Sequence, residues 1–176
     1  MATGEQIYRW FTEGQIGPLQ FAAMDIESLA EEFENDAGDL KRADEKMLEH
    51  WEGDSADQAS KGIGPLIDGN RQSAPMLVDS GNSVNDQGQL LVDAKHSVEE
   101  VPPVPEEPSM WAKGASVLLP GVPDPEESYR AGMDRNEAAN ANNVRVMDQY
   151  GVGTGGTKGS LPSDFGIMED DGAAIH

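Results

Sequence analysis

The chain has 176 residues, a length that fits one domain and a tail. Hydrophobic residues make up 37% and aromatic residues 6%, which is too few for a thick globular core but enough for a bundle whose helices each bury one stripe. The formal net charge of −21, from 12 Lys and Arg against 33 Asp and Glu, argues against nucleic acid or an anionic membrane as the partner, because both require a basic patch. Without cysteine, the chain forms no disulfide and no thiolate site.

The N-terminal region predicts a short helix over residues 4–13, with Thr3 as its N-cap. Residues Met1–Glu5 lack the basic and apolar regions of a secretory signal peptide, so we expect any export to use another route. Gly14 and Gly17-Pro18 separate this helix from the next one, and Pro18 suits a first helical turn.

Two long amphipathic segments flank Trp51-Glu52-Gly53. Apolar residues recur every three or four positions in both, which predicts helices over about 18–50 and from Asp54 or Ser55, as the cap, to about Val101. The first stripe consists of Leu19, Ala22, Ile26, Leu29, Phe33, Ala37, Leu40, Ala43 and Met47, and the second of Ile63, Ile67, Ala74, Leu77, Val84, Leu91 and Val98. Glycines together with Pro65 and Pro75 predict a kink in the second helix, with a break near 62–75 as the main risk. A Trp and a Gly between two such segments indicate a helical hairpin with a tight turn.

The proline-rich segment 101–108 predicts an extended linker. A short apolar helix is expected over about 109–119, and a final, Asn-rich helix from Pro125 to about Asp148. The glycine-rich acidic segment 151–176 predicts disorder. We therefore expect an all-α fold, an elongated helical bundle built on a long antiparallel hairpin, with a helical domain over 1–150 and a flexible tail over 151–176.

No residue pattern in the chain predicts catalysis. His50, His96 and His176 have no companion ligands at a spacing that specifies a metal site. The many carboxylates fall on the outer faces of predicted helices, where nothing would separate the pKa values of a catalytic pair. We therefore expect neither an enzyme nor a bound cofactor or metal.

Taken together, the segments resemble the PPE domain of actinobacterial type VII (ESX) secretion substrates, within the wider Trp-x-Gly hairpin superfamily. The similarity spans roughly residues 7–150. It rests on Ile7-Tyr8 followed by Gly14–Leu19, on the Trp51-Glu52-Gly53 turn, on Val101-Pro102-Pro103, and on a last helix that closes with Tyr150-Gly151. The Pro-Pro-Glu triplet and the Tyr-x-x-x-Asp/Glu export signal of the family are absent, since Met133, Thr154 and Thr12 stand four residues after the three tyrosines.

The resemblance implies a secreted interaction protein that pairs with a smaller helical hairpin, of PE or Trp-x-Gly type, before type VII export from the cytoplasm. In this family the missing tyrosine signal usually lies on the smaller partner. Trp51 and Gly53 would then form half of a two-part export signal at one tip of the bundle, with Trp51 partly exposed. The candidates for contact with the partner are Tyr8, Trp10, Leu19, Ile26, Phe33, Leu77, Val84 and Leu91.

Two other functions remain open from the sequence. The apolar stripes also suit a self-assembling homo-oligomer, although the charge of −21 opposes the packing of like with like at low salt. The charge also permits an acidic mimic of DNA that captures a basic nucleic-acid-binding protein. The hairpin features favour the secretion substrate over both.

Overall fold

The computed structural model describes residues 2–111 and 124–161 of the chain. Every regular element in these ranges is an α-helix, so the predicted all-α class is confirmed. The helices are α1 (Gly4–Glu13), α2 (Gly17–His50), α3 (Asp54–Ser97) and α4 (Pro125–Ser160).

The contacts divide the chain into two compact units. The first unit consists of Met1–Ile16 and Gln89–Thr154, and the second of Gly17–Gly88 and Gly155–His176. Each unit is built from pieces that are distant in sequence.

Helix α1 has the predicted bounds because both of its ends are set by local hydrogen bonds. The Thr3 hydroxyl accepts from the Gln6 backbone N–H at 3.2 Å, and the Thr3 N–H donates to the Gln6 side chain at 3.0 Å. This reciprocal pair is a capping box, which satisfies two donors that would otherwise lack partners. At the other end the Gly14 N–H donates to the Trp10 carbonyl.

The first unit has a small apolar core formed by α1, the end of α3 and α4. Ile7 and Phe11 of α1 are 2% and 3% exposed, and they cluster with Ala94, Val98 and Val146. The Phe11 ring meets the Tyr150 ring edge to face, with centroids 5.2 Å apart. This geometry is the one that aromatic quadrupoles favour.

A buried amide connects three segments of the same unit. Asn143 is 0% exposed, and its side chain accepts from the Glu99 N–H at 2.8 Å. Its NH₂ group donates to the Glu99 carbonyl at 2.7 Å and to the Gly4 carbonyl at 3.0 Å. One side chain thereby joins α4 to the start of α1 and to the segment after α3, whose residues 98–109 are non-helical, as predicted for the linker at 101–108.

In the second unit, contacts between α2 and α3 run in opposite chain order. Near the turn, the Ser60 hydroxyl donates to Asp44 at 3.0 Å. Farther from it, a Cβ atom on Gly81 would lie 3.5 Å from Ile26, and one on Gly88 would lie 3.9 Å from Leu19. Glycine at these positions keeps the α3 backbone close to α2 side chains.

Helix α3 runs through Pro65 and Pro75 without the break near 62–75 that was the main risk, so its predicted continuity holds. It differs from its prediction at its ends, because it ends at Ser97 rather than near Val101. It begins at Asp54, so the residue before the helix is Gly53 rather than Asp54 or Ser55. Helix stability in proteins comes mostly from tertiary packing, and Ile67 and Ala74, which are both buried, lie between Pro65 and Pro75.

Helix α4 continues past its expected end near Asp148 to Ser160, so the prediction of disorder from Gly151 onward is wrong for residues 151–160. At Gly153 a tertiary contact offsets the poor helix propensity of glycine. In the first unit, Gly153 packs so closely on Leu90 that a Cβ would lie 2.8 Å from its methyl carbons. In the second unit, the Thr157 hydroxyl lies 2.9 Å from the Gln87 side-chain oxygen.

Other predictions fall partly or wholly outside the described residues. Met110 and Trp111 are helical, and residues 112–119 of the helix expected over about 109–119 lie outside the described residues. Residues 162–176 of the expected tail also lie outside.

Candidate functional site

The turn between α2 and α3 is formed by Trp51, Glu52 and Gly53. Gly53 has a φ of +102°, a backbone conformation that residues with a Cβ rarely adopt. Its carbonyl accepts from the N–H groups of Ala56 at 2.9 Å and Asp57 at 3.2 Å, which starts the first turn of α3. The sequence predicted that Gly53 permits this turn, and its dihedral angle confirms that prediction.

The Trp51 side chain is 45% exposed. Its predicted partial exposure is therefore confirmed, whereas its part in export stays a prediction. An indole that is half in water can offer both an apolar face and an N–H donor to another chain.

The candidate partner-contact residues lie in different environments. Trp10 is 55% exposed, whereas Tyr8, Leu19, Ile26, Phe33, Leu77, Val84 and Leu91 are half-buried. Tyr8 and Leu91 pack against the core of the first unit. Ile26 and Leu19 pack against Gly81 and Gly88 of α3, so both contribute to the contact between α2 and α3.

A different set of apolar side chains faces solvent in the second unit. Phe21, Met24 and Val78 are 68%, 63% and 45% exposed. Met24 and Val78 line a groove between α2 and α3, whose small residues include Ala23 and Gly81. Phe21 shares a helix face with Met24, three positions away. We refer to Phe21, Met24 and Val78 as the apolar strip.

Sequence reasoning missed the strip because its members stand between the positions of the main stripes. Phe21 follows Leu19 by two residues and Met24 precedes Ile26 by two. The available signal was a large aromatic residue on the face of α2 that the helical period assigns to solvent.

Acidic side chains border the strip along α2. Glu27 lines the groove beside Met24. Glu31 and Glu34 continue the row, and Arg71 lies across from them on α3. Because these carboxylates are exposed, they are solvated and act on an approaching chain mainly through a salt-dependent field.

The described residues contain no group of three or more His, Asp or Glu side chains placed to hold a metal ion. None of the helices in the described ranges is both long and apolar enough to cross a bilayer. Comparisons with protein-family models, with curated proteins and with solved structures found no match to this chain.

Proposed function

We propose that this chain is a non-enzymatic interaction protein of the Trp-x-Gly superfamily, with a PPE-like domain, that is exported by type VII secretion as a heterodimer. Its partner would be a smaller helical hairpin. The observation that carries the proposal is the apolar strip of Phe21, Met24 and Val78, which leaves more than two-fifths of each side chain exposed. Exposed apolar side chains that share a face are typical of protein interaction sites.

The proposed architecture is a bundle whose main element is an antiparallel hairpin of α2 and α3. The reverse order of the Asp44–Ser60 and Ile26–Gly81 contacts supports this arrangement. Small residues in the groove, such as Ala23 and Gly81, suit it because they let a third helix approach closely. Met24 and Val78 at the edges of the groove supply apolar area for that helix to cover.

The Trp51–Gly53 turn is the proposed half of the export signal. Trp51 offers a half-exposed indole, and Gly53 leaves open space, since no atom lies within 4 Å of a Cβ built there. A tyrosine-containing tail on the partner would supply the other half. The strip and the turn would then have separate tasks, with the strip holding the partner and the turn presenting the pair to the secretion machinery.

Co-expression with a small helical-hairpin protein from a neighbouring gene tests the pairing. The expected result is a soluble one-to-one heterodimer. Met24→Glu and Phe21→Glu should each weaken it at least tenfold, because each places a charge in an interface that must lose water. Leu48→Glu is the matched control: Leu48 is 41% exposed on the same helix and stands 24 residues from Met24, roughly 36 Å along the axis.

Three outcomes separate the candidates. If neither strip substitution weakens the heterodimer, the interface lies elsewhere on the chain. A monomer that ignores the neighbouring hairpin protein at micromolar concentration would refute the pairing. A homo-oligomer that grows with concentration in light scattering, without any partner, would favour self-assembly.

Export is tested apart from pairing. Trp51→Ala should leave the heterodimer intact and abolish its appearance in the culture medium, whereas Trp111→Ala, which removes another exposed tryptophan, should be exported normally. Normal export of the Trp51 variant would refute the signal role while leaving the interaction function in place.

A further inference from the structure

The part of α4 that belongs to the second unit is a helix without an apolar side chain. It consists of Gly155, Gly156, Thr157, Lys158, Gly159 and Ser160. Thr157 is half-buried and the other five are exposed. Only proline is a poorer helix former than glycine, so this segment has poor intrinsic helicity. Because it has no apolar side chain, it also gains no hydrophobic burial.

The segment is held against α3 by polar contacts. The Thr157 hydroxyl lies 2.9 Å from the Gln87 side-chain oxygen, to which it can donate. The hydroxyl oxygens of Ser83 and Ser160 are also 2.9 Å apart. Water competes for each of these contacts when the segment leaves α3, so their net contribution to docking is small.

The Ser83–Ser160 contact also competes with hydrogen bonds inside each helix. Ser83 lies within bonding distance of the Asp79 carbonyl, at 3.0 Å, and Ser160 within bonding distance of the Thr157 carbonyl, at 2.8 Å. Two hydroxyl groups carry two hydrogens and therefore form at most two of these three bonds at once. Releasing Ser160 from Ser83 leaves both hydroxyls with a carbonyl acceptor in their own helix.

The serine hydroxyls of this part of α3 keep a hydrogen bond when the segment leaves. Ser80, which is buried and three positions before Ser83, donates to the Met76 carbonyl at 2.8 Å. Ser83 has the Asp79 carbonyl as an acceptor. Opening therefore exposes no hydroxyl that depends on the segment for its partner.

We infer that Gly155–Ser160 is a displaceable strap that contacts α3 at Ser83 and Gln87 and opens while the rest of α4 remains folded. The upstream part of α4 is anchored by buried Ala139, Asn143 and Val146. The Gly155-Gly156 pair supplies the backbone freedom at the junction. The strap does not depend on the proposed secretion function.

Hydrogen exchange followed by mass spectrometry tests the strap in the full chain. Amides in 156–160 should exchange at least a hundredfold faster, relative to their unstructured rates, than those in 139–146. The triple variant Gly155→Ala, Gly156→Ala, Gly159→Ala should slow exchange in the strap, because no atom lies within 4 Å of a Cβ at these positions. From helix propensity, we expect about fivefold per substitution and roughly a hundredfold for the three together.

A matched variant controls for a general gain in helicity. Gly62→Ala lies in α3 of the same unit, also with open space around its Cβ, and should leave strap exchange unchanged. Thr157→Val should speed strap exchange severalfold, which a segment that is merely frayed and undocked would not show. The strap is refuted if 156–160 exchanges as slowly as 139–146, or if the triple alanine variant or Thr157→Val leaves its exchange unchanged.

Discussion

The side chain of Asn143 donates to the carbonyl of Gly4 at 3.0 Å, across 139 positions of the sequence. The same amide bonds both the N–H and the carbonyl of Glu99. This buried side chain therefore holds the start of α1, at Gly4, and the segment that follows α3, at Glu99. The first unit is therefore stabilised by the buried Asn143 amide as well as by its small apolar core.

Asn143→Ala should therefore destabilise the protein by about 3 kcal/mol, because it removes three hydrogen bonds and leaves one backbone N–H and two carbonyls without their partner. The free energy of unfolding in urea, followed by circular dichroism, measures the loss. Glu137→Ala, at an exposed position of the same helix, should stay within about 0.5 kcal/mol of the parent. A loss below about 1 kcal/mol for Asn143→Ala would show that water replaces the amide.

Gly4→Ala tests the close approach of α1 and α4 in the first unit. A Cβ on Gly4 would lie 2.6 Å from the Asn140 Cα, a backbone atom that cannot rotate away. We expect a loss of about 1–3 kcal/mol from overpacking, despite the better helix propensity of alanine. Thermal unfolding should show it as a lowered Tm, and an unchanged or raised Tm would mean that α1 shifts freely on α4.

The features that the sequence predicted well are those set by neighbouring residues. Thr3 with Gln6 determines the start of α1, and the conformational freedom of Gly53 permits the turn before α3, so both were predictable from a few positions. The role of Asn143 was not predicted and Gly153 was assigned to a disordered tail, because the roles of both come from distant partners, Gly4 and Leu90. An asparagine on a helix face and a glycine near its end ordinarily indicate solvent and termination, and only the tertiary contact reverses that meaning.

The residues of the candidate site also fall into those that local sequence predicts and those that depend on tertiary contacts. Trp51 and Gly53 were recognisable because their residue types and their position between two long stripes are local properties. The exposure of Phe21 and Met24 was signalled only by their positions between those of the main stripe, and the exposed fraction of each side chain depends on how α3 packs against α2. The half-buried positions of Leu19 and Ile26 follow from the same packing.

Trp51→Ala should cost less than about 1.5 kcal/mol of stability, because the side chain is already 45% exposed. Phe11→Ala is the contrasting variant: it removes a ring that is 3% exposed and should cost about 3–5 kcal/mol. Urea unfolding of the two variants under identical conditions gives the comparison. Equal losses would mean that Trp51 is a core residue, which would also weaken its proposed role in export.

Gly53 and Gly62 provide the sharpest test of the turn, because alanine has steric room at both positions and its effects should have opposite signs. No atom lies within 4 Å of a Cβ built on either residue, so a clash does not enter the comparison. At Gly53, with φ at +102°, alanine is strained and should lower the free energy of unfolding by about 1–2 kcal/mol. At Gly62, inside α3, alanine should raise the free energy of unfolding by about 0.5–1 kcal/mol. Measured in urea, a stabilising effect at both positions would show that the turn relaxes to a negative φ, and the Trp51–Gly53 segment would then lack the fixed backbone that its proposed recognition role requires.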